Sequence, residues 1–338
     1  MSDALKAPFV YFGGKSAVAD KVWSALGQPK HYLEPFFGSG AVLLARPDYE
    51  PGVHVESIVD ADGFVANVWR ALQHDPDEVA KWCDWPVNHA DLSARKRRLI
   101  ANEARLLENL IADDEWFDAK LAGYWVWAVS CWIGSGLTSP NAIPHLGNGG
   151  MGVHALGQIP HLTHGGMGIH ALSQRGEPAD EILDVRAPYN PNIYAWFRAL
   201  SERLRHVRVV CGDWSRICGG NWQDKIGDVG IFFDPPYSDA RRDQKIYQHE
   251  SQTVSHAVRA WAIERGKIES YRIVIAGYEG EHEELVEHGW TKESWSAQGG
   301  YANQGGDDTP GKENRHREVL WSSPFCLQSQ MPLFAAQK

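Results

Sequence analysis

The chain has 338 residues, 43% hydrophobic and 22% charged, and its 33 Lys and Arg against 43 Asp and Glu leave a net charge of −10. That composition excludes a disordered chain, and the negative balance excludes a small protein whose whole surface grips nucleic acid, while leaving room for a local basic groove. The longest mostly apolar stretch, residues 121–133, is too short to cross a bilayer, and the N-terminus has no basic segment followed by an apolar core.

Five cysteines (Cys83, Cys131, Cys211, Cys218, Cys326) form no CxxC pair and are odd in number. A disulfide framework and a Cys-based zinc site are therefore not expected, and a reducing cytoplasm suits the chain. The length allows one large domain or a domain with a substantial insert.

Residues 31–33 predict a short strand, followed by the Gly-rich turn EPFFGSG and a helix starting near Gly40. Residues 53–59 alternate apolar and polar and predict a second strand; residues 62–72 place Phe64, Val65, Val68, Trp69 and Leu72 at helical spacing. Strand, turn, helix, strand is the grammar of a parallel α/β sheet. Asp75-Pro76 signals a helix start, and residues 92–110 predict an amphipathic helix carrying Arg95-Lys96-Arg97-Arg98. That basic run reads either as a solvated face or as a nucleic-acid contact. Residues 116–132 are dense in aromatics, a pattern more often core than wedge.

A 14-residue unit starting at Ile143 recurs 16 residues later with three differences, giving a repeat over 143–172. Two copies are too few for a solenoid, so the expectation is a Gly-rich, loop-dominated insertion. Its histidines have no supporting Cys or acid cluster, and no metal site is expected. The α/β pattern returns at 192–205 with a helix, then strands at 207–210, 229–233, 273–276 and 318–321. Residues 299–314 predict a long loop, and 326–338 a loose tail.

Two constellations carry chemistry. Glu34-Pro35-Phe36-Phe37-Gly38-Ser39-Gly40 lies between a strand and a helix, where glycines let a ligand approach the backbone. Asp60 follows Gly40 by 20 residues at the end of the next strand, a position suited to a carboxylate accepting from ribose hydroxyls. Asp234-Pro235-Pro236-Tyr237 follows a strongly apolar strand. Its prolines remove two N–H donors and stiffen the loop, leaving a carboxylate, carbonyls and an aromatic ring. An exocyclic base amine needs such partners: it can donate to Asp234 and to the Pro235 carbonyl while Tyr237 stacks on the ring.

These motifs, in this order, resemble the DNA adenine methylase family: an aromatic-x-Gly-Gly-Lys at Tyr11 to Lys15, then EPFFGSGAV, Asp60-Ala-Asp62, an insert and DPPY. The resemblance covers residues 8–72 and 192–321 and implies a Rossmann-like α/β methyltransferase sheet with helices on both faces. It implies a discontinuous catalytic domain, 1–75 and 191–325, with an inserted, partly helical and loop-rich target-recognition module at 76–190. It implies S-adenosylmethionine as methyl donor and adenine N6 in duplex DNA as acceptor. Cofactor residues by resemblance are Tyr11, Gly14, Lys15, Glu34, Pro35, Phe36, Gly38, Gly40, Asp60, Asp213 and Trp214, and the catalytic loop is Asp234, Pro235, Pro236 and Tyr237. Tyr11 stands where the commoner residue is Trp, and the repeat is not part of the family pattern, so target sequence is not inherited.

The base must flip out of the duplex to reach such a loop. For phosphate contacts the basic patches are Arg95, Arg97 and Arg98, and Arg241, Arg242 and Lys245 beside DPPY. A cytosine-N4 or RNA-adenine methyltransferase, and a DNA-binding module without catalysis, remain open alternatives, as does a restriction endonuclease partner.

Overall fold

The computed structural model describes residues 5–9, 15–132, 137–139, 191–220, 222, 225–236, 252–295 and 318–327. The repeat at 143–172 and the loop expected at 299–314 lie outside the described residues.

Helix α1 (Ala19–Leu26) leads into β1 (His31–Glu34), the one-turn helix α2 (Ala41–Leu44) and β2 (Val55–Asp60). Four helices follow, and each starts at a side-chain cap: α3 (Gly63–His74) at Asp62, α4 (Pro76–Cys83) at Asp75, α5 (His89–Ala112) at Asn88 and α6 (Ala119–Cys131) at Asp118. In each case the cap's oxygen accepts from a backbone N–H of the first turn that the helix itself cannot satisfy. Pro76 at the first helical position lacks the N–H that would otherwise be orphaned.

The chain continues through α7 (Pro191–Leu204), β3 (Val207–Cys211), the short helix α8 (Ser215–Cys218), β4 (Val229–Phe233) and α9 (Gln252–Arg265). It closes with β5 (Tyr271–Tyr278), the short helix α10 (Glu284–Glu287), β6 (Thr291–Trp295) and β7 (Glu318–Ser322).

The seven strands form one sheet in the order β3-β2-β1-β4-β5-β7-β6. The first five in that order are parallel, and β7 runs antiparallel to both β5 and β6. Side chains alternate between the two faces along each strand. On one face Tyr32, Ile58, Phe232, Val274 and Leu320 meet α1 and the layer α3–α7. On the other Leu33, Val59, Ile231, Phe233, Ile273 and Trp321 meet α8 and α9. Helices therefore cover both faces of a mostly parallel sheet, which is compatible with a Rossmann-like fold.

Helices α4, α5 and α6 belong to the same hydrophobic core as α3 and α7. The described part of the expected insert packs as a continuous layer with the sheet, with no break in the core at residue 76. The dense aromatics of α6, including Tyr124, Trp125 and Trp127, are buried in that layer, which is the core reading of their spacing. At the other end, Cys326 is buried and the Leu327 N–H donates to the Ala25 carbonyl at 2.8 Å, so packing runs past the expected start of the tail.

Helices α1 and α9 lacked a sequence expectation although the signal was present: α1 buries Ala19, Val22, Trp23 and Leu26 at helical spacing, and α9 does the same with Val258 and Ala262. Strand β6 (TKESW) is an exposed edge with little apolar character and gave no signal.

Candidate functional site

The strand order reverses between β1 and β4: connections run from β1 outward to β2 and from β4 outward to β5. At such a switch point the loops leave in opposite directions and a crevice opens beyond the carboxyl ends of the strands. Glu34 ends β1, Asp60 ends β2, Asp213 follows β3 and Asp234 follows β4, so the acids expected from sequence share one edge.

Glu34 is buried, and its Oε2 accepts from the Tyr32 hydroxyl at 2.8 Å and the Leu43 N–H at 3.2 Å. Burial pushes its carboxyl well above the usual range; the nearby negative charges of Asp234 and Glu56 push the same way, against the pull of the two hydrogen bonds.

The turn after Glu34 is shaped by its glycines. Gly38 and Gly40 have φ of 49° and 66°, and a Cβ on Gly40 would stand 2.5 Å from the Phe37 ring. Only glycine fits there without strain. Phe37 is buried against Trp69, whose indole N–H donates to the Gly38 carbonyl at 2.9 Å. Pro35 is buried, while Phe36 is half-buried with its ring centroid 6.4 Å from that of Phe233.

Asp60 braces this turn. Its Oδ2 accepts from the Gly38 N–H at 2.8 Å and its Oδ1 from the Asp62 N–H at 2.9 Å. Burial, and then the charge of Asp62, raise its pKa to about 7 despite those two donors. Asp213 is exposed and accepts from the Ser215 N–H at 3.0 Å, fixing the start of α8. Trp214 packs edge-on against Phe233 and Trp261, with ring centroids 5.9 and 6.2 Å away.

Asp234 pairs with Lys15, whose Nζ lies 3.0 Å from Oδ2. Pro235 is buried and Pro236 half-buried, so the loop is anchored where it leaves the sheet. Tyr11, Gly14 and Tyr237 lie outside the described residues, as do Arg241, Arg242 and Lys245.

Sequence reasoning gave no role to Glu318 or Trp295. Both stand at this edge because β7 is antiparallel: its first residue pairs with the last residues of β5 and β6, Tyr278 and Trp295. Nothing in a lone acid opening the strand EVLWS announces that position.

The basic run on α5 is corrected in part. Arg95 is 5% exposed, donates from Nη1 to the Trp82 carbonyl at 2.8 Å, and lies 4.3–4.8 Å from the ring centroids of Trp85, Tyr124 and Trp127. A guanidinium enclosed by three aromatic faces is an interior cation, out of reach of phosphate. Lys96 is buried as well, with Nζ donating to the carbonyls of Leu137 and Ser139. Only Arg97 and Arg98 of the run point to solvent. The helix turns by about 100° per residue, so four consecutive basic residues cannot all share one face.

Among the described residues no helix is long and apolar enough to cross a membrane, and no group of three or more His, Cys, Asp or Glu is placed to hold a metal ion. Neither family models nor curated proteins yield a match to this chain.

Proposed function

We propose that the chain is an S-adenosylmethionine-dependent DNA methyltransferase acting on the N6 amine of a flipped adenine. The observation that carries this reading is the meeting of the Gly38–Gly40 turn, Asp60 and the Asp234-Pro235-Pro236 loop at one sheet edge, on both sides of the switch point. These segments are 174 residues apart from Asp60 to Asp234, and the sequence motifs alone do not require them to be neighbours.

The donor set suits the cofactor. S-adenosylmethionine carries a positive sulfonium, a nucleoside and an amino acid; the edge offers buried and half-buried carboxylates, a turn without side chains and exposed Asp213 beside the Trp214 ring. Glu34, Phe36, Gly38, Gly40, Asp60, Asp213 and Trp214 are the residues that would hold it. When bound, the cofactor supplies an electrophilic methyl group.

The chain's own part is acceptance and positioning. An adenine amine is a weak nucleophile because its lone pair is conjugated with the ring. Asp234 and the Pro235 carbonyl would accept hydrogen bonds from its two N–H groups and favour a pyramidal nitrogen. The prolines contribute no competing N–H, so the loop shows the amine only acceptors. Alignment of nitrogen and methyl then carries most of the acceleration. Extruding the base costs about a few kcal/mol.

The test is direct. The purified protein is incubated with S-adenosylmethionine and duplex DNA, and modified bases are identified by mass spectrometry and sequencing. N6-methyladenine is expected. Asp234→Ala should lower methyl transfer by orders of magnitude while calorimetry finds cofactor binding largely kept, and Asp60→Ala should weaken cofactor binding by about 1–3 kcal/mol. N4-methylcytosine, or methylation of RNA only, would replace the substrate assignment; no cofactor binding at all would sink the reading.

A further inference from the structure

Lys15 faces two carboxylates. Its Nζ lies 3.0 Å from Asp234 Oδ2 and 3.6 Å from Glu318 Oε2, and its side chain is 5% exposed. The Trp295 ring centroid is 6.0 Å from the same nitrogen. Glu318 opens β7, which lies between β5 and the edge strand β6, opposite Tyr278 and Trp295, and its side chain is 11% exposed. Three charges this close, largely shielded from water, feel each other through a low effective dielectric.

The arrangement bears on Asp234 as an acceptor. A buried ammonium with one carboxylate partner would draw that carboxylate's negative charge onto itself and weaken it toward any other donor. An ammonium has three donors and can serve two carboxylates at once. We infer that Glu318 is a positioning residue for the methyl-accepting amine: it shares the charge of Lys15, holds it at the sheet edge and keeps Asp234 a strong acceptor. This role rests on the methyltransferase reading of Asp234.

Glu318→Gln removes the charge and keeps the shape; Glu318→Asp keeps the charge. The Gln variant is expected to lose about tenfold in kcat with an unchanged dissociation constant for S-adenosylmethionine and an unchanged thermal midpoint, and the Asp variant to recover most of the rate. A second readout does not depend on turnover: the 15Nζ resonance of Lys15, assigned by its loss in Lys15→Met, should move in Glu318→Gln and stay close to its original place in Glu318→Asp. Wild-type kcat together with an unmoved ammonium signal in Glu318→Gln would overturn the inference. So would a parallel fall of kcat, cofactor affinity and thermal midpoint in both variants, which is the signature of mere support for β7. Either result leaves the methyltransferase reading standing if the wild type methylates DNA. A wild type that neither binds the cofactor nor methylates removes that reading and the role of Glu318 with it, whatever the ammonium signal does.

Discussion

Two glutamates on the same face of the sheet have opposite surroundings. Glu56 of β2 is closed by cations: Arg46 donates to its Oε1 at 3.0 Å, and Arg203 donates to Oε2 at 2.6 Å and to Oε1 at 3.0 Å. The two guanidiniums are backed by aromatic rings, Trp23 at 5.2 Å from Arg46 and Tyr49 at 3.8 Å from Arg203. Glu34, one turn of the pleat further toward the carboxyl edge, has a tyrosine hydroxyl and one backbone N–H and, among the described residues, no cation. The difference separates structure from site. Glu56 keeps its charge because two guanidiniums neutralise it, whereas Glu34 has, among the described residues, only uncharged donors and burial pushes its carboxyl well above the usual range.

That contrast can be broken or sharpened by substitution. Glu56→Gln strands the buried Arg46 guanidinium and should destabilise the protein by about 3–5 kcal/mol in denaturant unfolding; a loss below about 1 kcal/mol would mean the network is ornamental. Arg95→Ala empties the aromatic box on α5 and should cost about 2 kcal/mol or more, while Arg97→Ala, at an exposed site two residues on, should stay within about 0.5 kcal/mol. If Arg97→Ala instead weakens DNA binding with a shallower salt dependence, the exposed pair serves phosphate.

The third test uses pH. Asp60 has a folded value of about 7, above that of a free aspartate, so the folded chain keeps a proton the unfolded chain has lost. The stability this provides is full below pH of about 4 and disappears as pH rises through 7. Asp60→Asn has no such proton to lose, so its stability relative to wild type should improve by about 1 kcal/mol per pH unit between those limits. A pH-independent difference would refute the burial of this charge. His31 and His282 work in the opposite sense: burial lowers both to about 4, so their contribution is lost as pH falls from about 6.5 toward 4. The paired variants cancel that background. The smallest effect is expected for Glu34→Gln, whose amide oxygen can accept the same two hydrogen bonds. Stability should change by less than about 1 kcal/mol at pH 8 while cofactor binding weakens; a loss as large as that of Glu56→Gln would erase the distinction between the two glutamates.

By itself the sequence determined the parts that depend on near neighbours. Periodicity marked β1, β2, β4 and α3 within a residue or two, since alternation and helical spacing are local consequences of burial. The acid at each strand end, the glycines of the turn and the Pro-Pro loop were legible because each is demanded by backbone chemistry within a few residues. Only the tertiary structure decided what depends on partners distant in the chain. Arg95 and Arg97 are alike in sequence, and three aromatic rings from α6 and the α4–α5 connection make one interior and leave the other outside. The helices α4, α5 and α6 of the expected inserted module share the sheet's core, because their apolar faces find α3 and α7 as well as one another. Glu318 reaches Lys15, the partner of Asp234, only because β7 enters the sheet antiparallel, which brings the start of one strand to the ends of the others. No local pattern encodes strand direction within a sheet; long-range pairing does.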